Sequence, residues 1–518
     1  MIPAPAAESA RSRPASRLAR GADLAVLFAF LGVLLFRFFR PGDQYLSYFT
    51  DDFFYYFEVA RNLVETGVST FDGSRLTNGY HPLWLLVVAA HYAVFGDTLA
   101  FFVVFTIVIG LLCWGSYLVF RSSAAAVTGE GVASRLLALY AACFLLVLSR
   151  TGMEVSSAVF FGALLLRRLQ QHPFAEQNGR QLALTGLCAS LMVLSRIDTA
   201  IYIMLFVVLQ GAAGPDRLPA FIRRLVPFGV GGLLVPVYVA INLLVFDTLT
   251  PVSGTAKHLK ALLPLSLRPI DRFFQMDAIN VLFVWPAMAL LAAAAVLLLR
   301  QRAERPGRAQ AIVILSFIGM PVVYYPLLCL LSDWPMWTWY FYPLVLPLVA
   351  LLPHAIRPRL DRLSRPLIAR PLLFAVPAAM AVALAGLLPL NPASYSIYQA
   401  AQRIAEFSAK NPGCLAMGDR GGMPAYLVPG PIVQLEGLVE DRAYFDNISR
   451  RRDLVEVLRE LKVDYYVATN PVRDGNCLRA REPRMSGPQS PRMEGVFCAP
   501  PLAQFEYEGY RNYIWKVE

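Results

Sequence analysis

The chain has 518 residues, of which 57% are hydrophobic and only 16% charged, with a mean hydropathy of +0.50. Soluble domains carry about 25% charged residues, so a water-soluble globular protein is excluded. The formal charge of +11 is mostly arginine in short breaks between apolar runs. Bilayer orientation rules produce that pattern, and it implies no nucleic-acid partner.

The chain opens on a Pro/Ala/Ser/Arg-rich basic tail, residues 1–21, whose composition predicts a disordered cytoplasmic segment. The first apolar run, 22–39, is followed by Arg37, Arg40 and Pro41 rather than by small residues at a cleavage site. It reads as a retained anchor. Further runs able to cross about 30 Å of hydrocarbon fall at 98–120, 132–149, 154–170, 181–195, 198–213, 225–246, 278–299, 310–331, 338–356 and 372–390.

The segment 82–95 is too short for a span and suits an interfacial helix. Charge supports that choice. Without it, Arg121, Arg135, Arg167, Arg168, Arg180, Arg217, Arg223, Arg224 and the arginines near 300–308 and 357–370 all fall on the N-terminal side. If it spanned, the later basic loops would face the wrong way. The prediction is about 11 transmembrane helices, with the N-terminus cytoplasmic and the C-terminal part outside.

This topology gathers polar groups on the outer face. The long first loop, 40–97, contains YLSYFTDDFFYYFEVARNLVETG, residues 45–67. Thr50 is a candidate cap for a helix carrying Asp51 and Asp52 in its first turn, and the aromatics after them would lay that helix along the membrane interface. The two acids complement a helix dipole or serve as a general base at a water-exposed site. The loop continues to NGYHPLW, where Asn78-Gly79 makes a turn and His81-Pro82 starts the short helix. Asn78, Tyr80 and His81 are hydrogen-bonding groups brought back toward the membrane.

An acidic pair after the first span, an amphipathic helix and then NGYHPLW resemble the first external loop of the GT-C membrane glycosyltransferases. The pattern is most similar to arabinofuranosyltransferases that use polyprenyl-phosphate arabinose, and also to protein mannosyltransferases and aminoarabinose transferases of lipid A. The resemblance implies an all-α membrane domain, a polyprenyl-phosphate sugar donor, and an Asp51 or Asp52 carboxylate acting on the acceptor hydroxyl. Direct displacement would invert the anomeric centre.

A departing phosphate needs cations. Before residue 390 lysine occurs only at 257 and 260, within FDTLTPVSGTAKHLK. That stretch resembles the external loop that meets the donor phosphate in related transferases. Lys257 is the leading phosphate ligand, with Lys260 and His258 behind it. The turn SRTGMEVS places Arg150 and Glu154 outward, and SRID does the same for Arg196 and Asp198. Salt-bridged span ends explain both turns as well as a site does; the resemblance implies a site role for Glu154.

The sequence commits to no cofactor, although Asp51, Asp52, Glu154 and His81 together would suit a divalent cation such as magnesium, manganese or calcium. SDWPMWTWYFYP forms an aromatic belt in which Trp339 or Tyr340 could flank a sugar.

From about 391 to 518 the composition becomes ordinary. CLAMGDRG, PIVQLEGLVE and VDYYVAT read as strands and SRRRDLVEVLRELK as a helix, which together predict a small extracytoplasmic α/β domain. It resembles the C-terminal domain of the same arabinofuranosyltransferase-like proteins, and Asp419 is a candidate substrate ligand there. Cys477 and Cys498 could pair in an oxidising compartment.

The overall expectation is a multi-pass protein of the bacterial inner membrane. It would pass a sugar from a polyprenyl-phosphate donor to a cell-envelope glycan, protein or lipid. A transporter or flippase would place charge in mid-span, where this chain has almost none. A non-catalytic binding relative would keep the same fold.

Overall fold

The computed structural model describes residues 12–300, 306–359, 380–382, 384–386 and 392–517. Helices occupy each predicted span from 22–39 to 338–356, while the last, 372–390, falls largely outside the described residues. Helix α1 (Ser12–Leu35) starts within the tail that composition marked as disordered, because the apolar helix is continued backward.

The outer loop then forms α2 (Asp51–Thr66) and α3 (Pro82–Phe95). Next come α4 (Leu99–Thr128), α5 (Val132–Ser149), α6 (Val155–Gln171), α7 (Gly179–Ser195) and α8 (Ala200–Ala213). The rest are α9 (Leu218–Gly231), α10 (Leu234–Val245), α11 (Val252–Lys257), α12 (Trp285–Arg300), α13 (Arg308–Leu331) and α14 (Val345–Ile356).

Among the described residues, 6 helices are long and apolar enough to cross a membrane, and up to 7 if α9 and α10, bent by 63°, form one span. This is a multi-pass membrane protein. Helix α14 is apolar all round and buried along nearly its whole length against α4, α5, α6, α12 and α13, as a central helix must be. Helices α7 and α9 approach so closely that a Cβ on Gly186 would lie 1.9 Å from the Phe228 carbonyl oxygen. The buried Asp23 of α1 is paired: it meets Arg121 of α4 and accepts a 3.1 Å hydrogen bond from Tyr117.

After α15 (Pro392–Lys410) the chain forms β1 (Leu415–Met417), α16 (Gly422–Leu427), β2 (Ile432–Gln434) and β3 (Tyr465–Thr469). The strands β4 (Val472–Asp474), β5 (Cys477–Glu482), β6 (Met493–Phe497), β7 (Ala503–Tyr507) and β8 (Tyr510–Lys516) follow. One sheet has order β2-β1-β3-β8-β7, parallel across its first three strands and antiparallel beyond; a second is β4-β5-β6. The helix predicted from SRRRDLVEVLRELK is capped by Asp453, which accepts from Val455 N–H at 2.9 Å and Glu456 N–H at 3.1 Å. Cys477 and Cys498 are joined in a disulfide.

The sheet-bearing region packs directly on α2, and this changes the expected role of the aromatic run. Phe53, Phe54 and Phe57 are fully buried rather than lying on lipid. The Tyr426 ring of α16 sits 5.2 Å from Phe54 and 5.0 Å from Phe57. Thr50 precedes the helix, but its side chain makes no capping hydrogen bond.

Candidate active site

Helix α2, the NGYH turn, the α5–α6 and α7–α8 turns, α11 and the Trp-rich segment converge on one cavity of about 540 Å³. Asp52, one turn before Tyr55 and Tyr56, contributes a carboxylate to its wall. Opposite stand Lys257 and Tyr340, whose ammonium and phenol are 3.2 Å apart. Burial raises the Asp52 pKa; the Lys257 charge opposes this, while Glu154 and Asp419 add to it. Burial pulls the Lys257 pKa down, yet Tyr340 and Asp52 outweigh it and leave the ammonium more firmly protonated than usual.

Glu154 and Arg196 meet at the cavity floor as a buried ion pair. Arg196 also reaches Asp198 at 3.0 Å and lies over the rings of Tyr340 and Tyr342, 4.7 and 4.8 Å from their centroids. His81 Nδ1 accepts the Ile197 N–H at 3.2 Å, which fixes the proton of the neutral ring on Nε2, 3.6 Å from Glu154. Burial lowers the His81 pKa and so favours that neutral form. Tyr80 and Trp339 complete the predicted residues that line the cavity.

Five of these linings (His81, Arg196, Ser253, Lys257 and Tyr340) also belong to a second cavity of about 1190 Å³. Its walls are apolar, with Ile201, Leu327, Leu328, Leu331 and Met336, and His258 lies on it. A polar chamber and a largely apolar cavity therefore share one edge, where the Lys257 ammonium stands beside an Arg196 whose charge is met by Glu154 and Asp198.

Several predicted site residues are placed elsewhere. Asp51 turns away from Asp52, and its carboxylate accepts the Gly422 and Met423 N–H groups at 3.0 and 2.7 Å. It caps α16 from 371 residues away and lines neither cavity. Lys260 donates to the carbonyls of its own loop, Ala261 at 2.7 Å and Pro264 at 3.1 Å, and so holds a turn rather than an anion. Arg150 lines neither cavity, and its main-chain carbonyl accepts from Arg37, just beyond α1, at 2.8 Å. Asp419 is held by the Arg484 guanidinium, Nε at 2.9 Å, beside the cavity but not in its wall. Asn78 is fully buried behind the NGYH turn.

The set Asp51, Asp52, Glu154 and His81 is thus split between two tasks, and no group of three or more His, Cys, Asp or Glu among the described residues is placed to hold a metal ion.

Sequence reasoning missed the wall supplied by the C-terminal region, Leu438 and Val439. Its only trace is Gly79: a Cβ there would lie 1.9 Å from the Leu438 carbonyl oxygen, so the NGYH turn needs glycine for this approach. Tyr56 was also missed. Its hydroxyl accepts the His81 N–H at 3.2 Å and sits 3.5 Å from Glu154.

No protein-family model matches the sequence, and no curated protein does. Solved structures do match. ArnT from Cupriavidus metallidurans bound to undecaprenyl phosphate is 15% identical with a TM-score of 0.53, over 88% of this chain and 93% of that one. The Archaeoglobus fulgidus oligosaccharyltransferase tethered with an acceptor peptide is 11% identical with a TM-score of 0.50, over 86% of this chain and 69% of that one. AglB from the same organism, in complex with an inhibitory peptide and a dolichol-phosphate, is 10% identical with a TM-score of 0.50, over 87% and 69%. Likeness at such identities concerns architecture alone, and the present chain shares the overall fold of these solved structures.

Proposed function

We propose that the protein is an inverting glycosyltransferase that takes its sugar from a polyprenyl-phosphate donor. The observation that carries this reading is the shared edge between the two cavities. An anionic phosphate attached to a long apolar chain fits an edge that carries the Lys257 ammonium and is flanked on one side by a largely apolar cavity. The sugar then lies in the polar chamber, between Asp52 and the aromatic groups of Tyr55, Tyr56 and Trp339.

In the reaction, the acceptor hydroxyl oxygen attacks the anomeric carbon from the side opposite the phosphate, and Asp52 takes the hydroxyl proton. The bond from the anomeric carbon to the phosphate oxygen breaks, and its electron pair leaves with the phosphate. Lys257 neutralises the growing charge on that oxygen, with Arg196 behind it. A positioned general base is worth roughly 10²- to 10⁴-fold. The raised Asp52 pKa makes it a stronger base than an exposed carboxylate.

The same reading assigns 22–390 to a membrane domain of 11 spans and 391–518 to an extracytoplasmic domain, with the N-terminus in the bacterial cytoplasm. Arginine asymmetry supports it, and so does the Cys477–Cys498 disulfide, a bond of oxidising compartments. The acceptor is a glycan, protein or lipid of the cell envelope, and the sugar a pentose or hexose.

The test is incubation of purified protein with a panel of polyprenyl-phosphate sugars. Wild type transfers or hydrolyses one of them and Asp52→Asn does not. Undiminished turnover in Asp52→Asn removes the mechanism.

A further inference from the structure

Asn78 lies outside both cavities, is fully buried, and touches three separate chain segments. Its Oδ1 accepts the Val252 N–H at 3.0 Å, at the first residue of α11. Its Nδ2 donates to Asn242 Oδ1 at 3.1 Å, near the end of α10, and to Thr248 Oγ1 at 2.9 Å in the connecting loop. A main-chain N–H can only donate, so the Val252 bond fixes which end of the amide is oxygen.

Two residues beyond Asn78 stands Tyr80 and three beyond stands His81, both in the cavity wall; five residues beyond Val252 stands Lys257. One side chain therefore joins the part of the chamber built by the first outer loop to the part that carries the ammonium. Helix α11 has only 6 residues, too few to hold its own orientation in water. Its direction must come from outside.

On the donor reading above, we infer that Asn78 is a positioning residue for phosphate recognition: it sets the distance of Lys257 from His81 and Asp52 without touching the substrate. The amide is suited to this because it donates twice and accepts once along fixed directions, which no carboxylate or hydroxyl of similar size does. Asn78→Ala leaves the Val252 N–H without its buried acceptor, and α11 loses the hydrogen-bonded tie at its start, leaving Lys257 held by Tyr340 and by the packing of Val252 and Ala256.

The experiment is a double-mutant cycle on the full-length protein in detergent, with undecaprenyl phosphate as the binding probe. Asn78→Ala is expected to weaken binding about ten-fold, the size of one lost buried hydrogen bond. In a Lys257→Ala background the same change is expected to cost almost nothing, because the group it positions is gone. Thr248→Val removes one donor contact, keeps the other two, and gives a smaller loss in the same direction; it carries the test where Asn78→Ala does not fold. Losses that add fully in the double mutant, or Asn78→Ala and Thr248→Val that both bind as wild type does, overturn the positioning role and leave the donor reading intact. Wild type that binds no undecaprenyl phosphate overturns the donor reading, and this inference with it.

Discussion

Replacing Asp51 and replacing Asp52 should have opposite consequences, although the two are adjacent. Asp51→Ala removes the acceptor of two main-chain N–H groups, Gly422 at 3.0 Å and Met423 at 2.7 Å, in a site where Asp51 is only 8% exposed. Each orphaned buried donor costs about 1–3 kcal/mol, so the attachment of α16 to the membrane helices weakens by about 2–6 kcal/mol. Burial pushes the Asp51 pKa up to about 7 against the pull of those two amides. The two N–H groups bind different carboxylate oxygens, whereas asparagine offers one amide oxygen, so Asp51→Asn keeps one of the two bonds and should lose at least half as much as alanine.

Hydrogen exchange followed by mass spectrometry reads this directly. Peptides covering Gly422–Leu427 should exchange markedly faster in Asp51→Ala, clearly faster than wild type in Asp51→Asn as well, and at the wild-type rate in Asp52→Asn. Sugar transfer should show the reverse order of severity between Asp51→Asn and Asp52→Asn. Unchanged exchange at Gly422 and Met423 in Asp51→Ala, together with abolished transfer, would return Asp51 to the reaction and refute the separation of roles.

Three other outcomes follow from the same geometry. Lys257→Met should raise the KM for a polyprenyl-phosphate donor by roughly ten-fold or more while leaving acceptor KM unchanged, since a charge-assisted contact contributes about 1.5–3 kcal/mol; equal effects on both substrates would count against a phosphate role. The kcat/KM should rise with pH to a midpoint above the ordinary Asp value of about 3.9, because the base works ionised and burial raises its pKa. Lys257, shifted upward, adds no alkaline fall below its usual range, and a profile flat down to pH 4 would exclude Asp52 as the base. Gly79→Ala should lower the thermal midpoint and the yield of folded protein, as its Cβ would lie 1.9 Å from the Leu438 oxygen; a wild-type melting curve would mean that the C-terminal wall can retreat at no cost.

Local signals carried much of the architecture. Apolar runs and their arginine-rich breaks located the helices up to residue 356, and Pro82 marked the start of a helix too short to cross a bilayer. Lys257 stood out because the chain otherwise uses arginine in its membrane half. What stayed hidden depended on partners far along the chain. Nothing near Asp51 and Asp52 tells them apart, since the amides that claim Asp51 lie 371 and 372 residues away. Lys260 looked like Lys257 until its own loop folded back around it through Leu262 and Pro264. The aromatic run at 53–57 carried the composition of a lipid-facing surface, but Phe101, Phe102 and Phe105 of α4 and Tyr426 of the C-terminal region cover it with protein. Strands β4 to β8 were not anticipated, because their short alternating segments give a weak periodic signal.

The edge common to the polar chamber and the apolar channel bears on traffic. A carrier held there would arrive by sliding sideways within its leaflet, while the second reactant would descend from the aqueous side. On the proposed reaction, two such routes would not cross, and neither reactant would need to wait for the other. The spent carrier would compete with fresh carrier for the same berth yet leave the incoming hydroxyl unobstructed, and product inhibition would be competitive toward one reactant only.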